Sequence, residues 1–490
     1  MEALRTNLKR WTLRSVVLLV LGVVFVGHNV FRPVYYTYDD TYQPQRKTQH
    51  VFTAIPPNHS QTSVVNRSFA TEPVRVPRGI FKRVGGSDEP PRSNTAVVLV
   101  SSRATTRPKL ILHIGPHKTG TSTIQCDLTF FNRLLETTTN FIYLGRQYGE
   151  CQQTQATYNV DTRRIISCLD RYPRDPCTEK KEWMHLEQTL LVLGKEKRKN
   201  VIISDEAFSR LKVNSENVKF LCETLGRHYE VVVVIVYRHY FSWLLSQYNE
   251  HYKPLPNRQF YKQWPGEGGK RTKPFVEYYD RELQQQSKPG NYEPAVAKGN
   301  YMLAASVRNM HPATYLKSLW ANFTSRVVVI NMHDGGDLTE NFVRNALSGE
   351  ALIAYESRSG HSPGRPNPSM ELDFDILALR AYEKGLVPRS RKITRRVLTL
   401  YLEATLGSAV TAGTLPVICL NETSLQDLFR TSAQFERDVF PNGDHESLLV
   451  EHEASFAKDV ARRKFCNLDV DTILELDDIQ SWFKQLAKLT

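Results

Sequence analysis

Four short stretches of this chain are apolar at almost every position, without the alternation of a half-exposed strand. They are residues 109–114 (K-L-I-L-H-I), 200–204 (N-V-I-I-S), 231–237 (V-V-V-V-I-V-Y) and 326–332 (R-V-V-V-I-N-M). Short runs rich in β-branched side chains read as strands buried on both faces. Residues 183–199, 215–225, 240–250 and 311–323 read as helices between or beside them. A further helix starts near Ser122. Continuous apolar strands alternating with helices predict an α/β fold, a doubly wound parallel sheet covered by helices on both faces. In such sheets ligands bind outside the carboxyl ends of the strands. These elements delimit a core over residues 108–348.

The texture differs on either side. Residues 32–107 are rich in Pro, Ser, Thr, Arg and Val, lack sustained periodicity, and read as an extended stem. After a Ser/Gly/Pro-rich stretch at 357–369, the segment 349–490 reads as a mostly helical extension packed on the core, or as a separate domain. At the N-terminus, Arg5, Lys9, Arg10 and Arg14 precede an uncharged run, 15–31, centred on V-V-L-L-V-L-G-V-V-F-V. As a helix that run spans roughly 26 Å, enough for a thin early-secretory bilayer. The basic flank favours a cytoplasmic tail at 1–14 and a lumenal remainder, a single-pass type II anchor. A cleavable signal peptide is the rival reading, although no small-x-small cleavage site follows the run.

With 64 basic against 51 acidic residues the formal charge is +13. A basic surplus suits polyanions, and a lumenal location turns the choice away from nucleic acid towards acidic glycans. Asn58, Asn66, Asn322 and Asn421 begin N-glycosylation tripeptides. Seven cysteines, at 126, 151, 168, 177, 222, 419 and 466, allow disulfides and leave one unpaired. They contain no C-x-x-C pair, so zinc is not expected.

The most informative residues are Gly115-Pro-His-Lys-Thr-Gly-Thr-Ser-Thr123, a glycine-bearing turn between strand and helix. Backbone N–H groups in such a turn converge on an anion, and Thr121, Ser122 and Thr123 add hydroxyls. A nucleotide triphosphatase would carry lysine directly after the second glycine. Here Thr121 stands there and the lysine, Lys118, lies inside the loop. This arrangement resembles the 5′-phosphosulfate loop of the sulfotransferases that use 3′-phosphoadenosine 5′-phosphosulfate (PAPS). Arg238, at the end of the valine strand, and Ser246, eight residues on, resemble the arginine–serine pair with which that family binds the 3′-phosphate. The resemblance covers roughly residues 109–342 and is to the Golgi-type, carbohydrate-sulfating branch. The R-K-G-x-x-G-D-W signature of the cytosolic members is missing from the sequence.

The resemblance implies a sulfuryl transfer from PAPS to a carbohydrate hydroxyl, with no metal required. Lys118, Thr119, Gly120, Thr121, Ser122 and Thr123 would form the donor loop, with Arg238 and Ser246 on the 3′-phosphate. Lys118 would offset charge on the leaving oxygen. For the base, Glu206 is favoured, then Asp205, then His117, all near the predicted strand ends. For an anionic acceptor, Lys262, Lys270, Arg271 and Lys273 stand among Tyr261, Trp264 and Phe275, a set that suits a solvated loop equally well. The cluster Arg389, Arg391, Lys392, Arg395 and Arg396 reads as a helix face rather than a groove. Two alternatives remain: a nucleotide-dependent kinase, and a catalytically inactive carbohydrate-binding relative.

Overall fold

The computed structural model describes residues 96–99, 107–145, 160–171, 177–211, 216–252, 263–265, 271–286, 311–357, 372–387, 393–411 and 413–488. The apolar run 15–31 and nearly all of the stem segment lie outside them. Among the described residues no helix is long and apolar enough to cross a membrane.

Six strands make one sheet: β1 (Ala96–Leu99), β2 (Lys109–His113), β3 (Phe141–Tyr143), β4 (Asn200–Ser204), β5 (Glu230–Tyr237) and β6 (Arg326–Asn331). Their order is β1-β6-β5-β2-β4-β3. β3, β4, β2, β5 and β6 run parallel, and β1 lies antiparallel on the edge against β6. The four strands expected from the sequence are β2, β4, β5 and β6, each within a residue or so. β3 has only three residues, too few for a pattern, and β1 falls in the segment read as stem.

The all-apolar strands follow from burial on both faces. Val232, Val234 and Val236 of β5 join one core cluster, while Val231, Val233 and Ile235 join another. The first cluster is closed by α1 (Thr121–Thr138). The opposite face is closed by α2 (Thr162–Arg171), α3 (Lys181–Leu191) and α4 (Glu216–Gly226). α3 gives way to a π-helical turn at Val192–Glu196. There Gly194 lets Tyr229 approach to 2.8 Å of where a Cβ would stand, so the expected helix 183–199 is not α-helical to its end.

α5 (Tyr240–Tyr252) follows β5, and α6 (Phe275–Gln286) and α7 (Pro312–Ala321) follow in turn. After β6 come α8 (Leu338–Ala346) and α9 (Gly349–Glu356), which return to the α1 face. The C-terminal segment is helical as expected: α10 (Asp373–Glu383), α11 (Arg395–Thr411), α12 (Glu422–Val439), α13 (His445–Ala461), α14 (Val470–Leu474) and α15 (Asp477–Lys488). A small antiparallel pair, β7 (Val417–Cys419) and β8 (Cys466–Leu468), is clipped by the Cys419–Cys466 disulfide. A third aromatic cluster packs Leu428, Phe435, Phe456 and Phe465 of this segment against Phe241, Leu244 and Tyr248 of α5. By internal contacts, residues 76–407 and 415–490 form one unit, which holds the sheet. The other comprises 1–75 and 408–414, of which the end of α11 and the turn after it are described.

Several side chains offered for an acceptor site turn out to be structural. Trp264 is buried, stacked on Tyr382 at 4.2 Å, and donates to the Ile393 carbonyl. Phe275 is 1% exposed within the third cluster. Arg395, read from the sequence as part of a helix face rather than an acceptor group, has no exposure at all and forks onto Asp375. Arg271 and Lys273 are exposed and pair with Glu383 and Glu277. Tyr261, Lys262, Lys270, Arg389, Arg391 and Lys392 lie outside the described residues.

Candidate functional site

The chain enters the sheet interior at β2, goes to the edge at β3, returns to β4 beside β2, and then crosses to the other side of β2 for β5 and β6. The carboxyl end of β2 is therefore a topological switch point, where an open α/β sheet leaves a crevice. The loop 115–120 occupies that point. Its entry is pinned by Ile114 N–H to the Val234 carbonyl (3.1 Å) and Val236 N–H to the Gly115 carbonyl (3.0 Å). A Cβ on Gly115 would come within 3.4 Å of Glu206 Cα, so glycine lets the loop lie against the end of β4.

Three loop residues have positive φ: Gly115 (92°), Lys118 (69°) and Gly120 (82°). For glycine this conformation is free of strain, but for Lys118 it carries strain, of a kind that concentrates at functional sites. Thr119 donates to the Pro116 carbonyl (2.6 Å) and closes the turn. Gly120 is the N-cap of α1, and no side chain caps that 18-residue helix. Its first turn holds no acidic residue either. The positive end of the helix dipole is thus turned to the crevice without an internal anion. Thr121 hydroxyl is buried there without a hydrogen-bond partner. Ser122 and Thr123 beside it are half-buried.

An ion pair, a histidine–glutamate contact and a guanidinium surround the loop. Lys118 Nζ meets Glu250 Oε2 at 2.6 Å. His117 Nδ1 meets Glu206 Oε1 at 3.1 Å. Arg238 donates through Nη1 to the Lys118 carbonyl (2.9 Å) and through Nε and Nη2 to Ser242 hydroxyl (3.2 and 3.0 Å). α5 also grips the loop, since Trp243 Nε1 donates to the His117 carbonyl at 2.9 Å. Cations and acceptors from the ends of β2, β4 and β5 are so gathered into one crevice.

The alternatives for a base separate on geometry. Asp205 is 3% exposed and fully employed: it accepts from Ala207 N–H (2.9 Å) and Thr162 hydroxyl (2.6 Å) as the N-cap of a 3₁₀ turn. Glu206, with a side chain 32% exposed, faces the crevice beside His117. Beneath them His113 is buried on Ser204 hydroxyl (2.8 Å). Burial holds its imidazole down to about 4, against a smaller upward pull from Glu206, so it stays neutral.

The serine that Arg238 meets is Ser242, one helical turn before the expected Ser246. Glu250 and Ser242 are the crevice side chains that sequence reasoning passed over. The signal was present: residues 238, 242, 246 and 250 recur every four positions, which on a helix makes one face. Ser246 stands between the serine on Arg238 and the glutamate on Lys118, on the same stripe of α5.

This chain matches no protein-family model, no curated protein and no solved structure. The fold and the geometry of the crevice therefore carry the functional argument by themselves.

Proposed function

We propose that this chain is a sulfotransferase that moves the sulfuryl group of PAPS to a carbohydrate hydroxyl in the Golgi lumen, held there by its N-terminal anchor. The observation that carries the reading is the uncapped N-terminus of α1 at the switch point, with the orphaned Thr121 hydroxyl inside it and Lys118 and Arg238 beside it. A buried hydroxyl without a partner costs about 1–3 kcal/mol unless a ligand satisfies it, and a phosphate oxygen is the acceptor this cradle suits.

In this reading the α1 amides with Thr121, Ser122 and Thr123 hold the 5′-phosphate. Arg238, with Ser242 and Ser246, holds the 3′-phosphate. Lys118 leaves Glu250 and offsets the charge growing on the bridging oxygen. Glu206, oriented by His117, takes the acceptor proton as the acceptor oxygen bonds to sulfur and the sulfur–phosphate oxygen bond breaks. Donors of the Lys118 kind contribute about 10²–10³ in rate, and a base about 10²–10⁴. Disulfides at Cys168–Cys177 and Cys419–Cys466 suit an oxidising compartment. Asn322 and Asn421 are both exposed, as glycosylation needs.

A kinase reading fits less well. It needs a lysine after Gly120 and a free acidic residue at a strand end for magnesium, and Asp205 is committed to its cap. The deciding experiment is thermal stabilisation of the chain by adenosine 3′,5′-bisphosphate against ATP with magnesium. At 100 times Kd a true ligand adds about 2.7 kcal/mol. Stabilisation by the bisphosphate that Arg238→Ala weakens supports the donor site, whereas a preference for ATP with magnesium overturns it.

A further inference from the structure

Next to Arg238 in the chain begins a buried polar cluster that the transfer reaction does not use. His239 follows Arg238 at the end of β5, Glu436 lies on α12 and His452 on α13. Their side chains are 2%, 4% and 0% exposed. Glu436 Oε2 receives His452 Nδ1 at 2.5 Å, and Glu436 Oε1 stands 3.4 Å from His239 Nε2. One polar atom on each residue has no hydrogen-bond partner: Oε1 of Glu436, Nδ1 of His239 and Nε2 of His452. The His333 ring stacks on His239 at 3.7 Å, and its Nε2 accepts the His239 N–H.

This arrangement buries a carboxylate among imidazoles. A carboxylate taken out of water costs several kcal/mol unless it is compensated. Among the described residues, the ion-pair partners of Glu436 are these two imidazoles and no lysine or arginine.

We infer that His239, Glu436 and His452 bind a divalent transition cation of the zinc class, which ties α12 and α13 to the residue next to Arg238. One ligand atom from each residue lies within 4.8 Å of the others. Tetrahedral zinc with bonds of about 2.0–2.1 Å sets its ligands roughly 3.4 Å apart, so side-chain rotations of about an ångström close the site. Two imidazoles and one carboxylate are a recognised zinc donor set, and a dication supplies the charge that Glu436 lacks. With all three side chains buried, the cation acts as a structural clip that locks the C-terminal helices to the strand end. It does not depend on what the crevice binds.

The test uses the full chain, purified without a polyhistidine tag or chelator, and measures its metal content by mass spectrometry. About one zinc per chain is expected. Glu436→Gln and His452→Asn should each bring the content to background. Cobalt(II) exchanged into the wild-type chain should give the visible absorption of a tetrahedral site, and chelation should lower Tm in a way zinc reverses and magnesium does not. These wild-type measurements stand even where a variant fails to fold. A folded wild-type chain that carries no zinc above background, and takes up neither zinc nor cobalt, overturns the inference and leaves a proton-sharing Glu–His network.

Discussion

The Lys118–Glu250 pair separates a functional lysine from a structural one. Its two side chains are 20% and 29% exposed and lie 2.6 Å apart at the rim of the crevice. Partly solvated pairs of this kind contribute about 0–1 kcal/mol to stability, because solvent screens the attraction and two long side chains lose freedom. Lys118→Met keeps the β-carbon at φ 69° and so adds no backbone strain. Its unfolding free energy in urea should therefore stay within about 1 kcal/mol of wild type. Turnover, followed as adenosine 3′,5′-bisphosphate released from PAPS with a mixed glycan acceptor, should fall by about 10²–10³. Glu250→Gln acts in the opposite sense. It removes the partner that Lys118 must leave, so donor-side affinity should rise by up to about fivefold, the equivalent of about 1 kcal/mol. Calorimetry with the bisphosphate measures this directly. A Lys118→Met chain that loses more than about 3 kcal/mol has a structural lysine. A Glu250→Gln chain that binds the bisphosphate more weakly has a glutamate that contacts the donor. Either result refutes the reasoning.

Three further outcomes follow from buried groups. Arg395→Leu leaves Asp375 in the core with Thr272 hydroxyl (2.6 Å) as its remaining side-chain partner among the described residues, which should cost about 3–5 kcal/mol in urea unfolding. Replacing both partners by leucine should recover most of that loss, since no unpaired charge remains. Gly120→Ala places a methyl group 2.3 Å from Leu338 Cδ2 at φ 82°. Backbone strain of about 1–2 kcal/mol and a displaced leucine should lower Tm, and Leu338→Ala in the same chain should restore only the steric part. His113 stays neutral down to about 4 in the folded chain, while in the unfolded chain it protonates near 6.5. The unfolded state then binds more protons, so stability falls as pH drops from about 6.5 towards 4, by up to about 3 kcal/mol at the lower end. Urea titrations at several pH values should show that slope, and His113→Gln should reduce it without abolishing it, since burial also holds the His311 imidazole down to about 3.

The sequence alone determined the four central strands and the loop at the switch point. Both are written in local chemistry: a strand buried on two faces must be apolar at each position, as in Val231–Ile235, and a turn that needs positive φ keeps Gly115 and Gly120. Lys118, Arg238 and Glu206 were also legible, because each stands within a few residues of such a strand end. Contacts between residues far apart in the chain left no local mark, and only the tertiary structure decided them. Lys118 and Glu250 are 132 positions apart, and which glutamate meets the lysine depends on how α5 lies across the loop. Asp205 and Glu206 are neighbours that the sequence could only rank, Glu206 first, whereas Thr162 on α2 commits Asp205 to a cap and Glu206 stands beside His117. Trp264, Phe275 and Arg395 read as surface groups because their immediate neighbours are polar, and packing against distant helices buried them. The histidine–glutamate cluster is the extreme case: three residues on separate elements, each unremarkable where it stands, become one buried site because α12 and α13 fold back onto the end of β5.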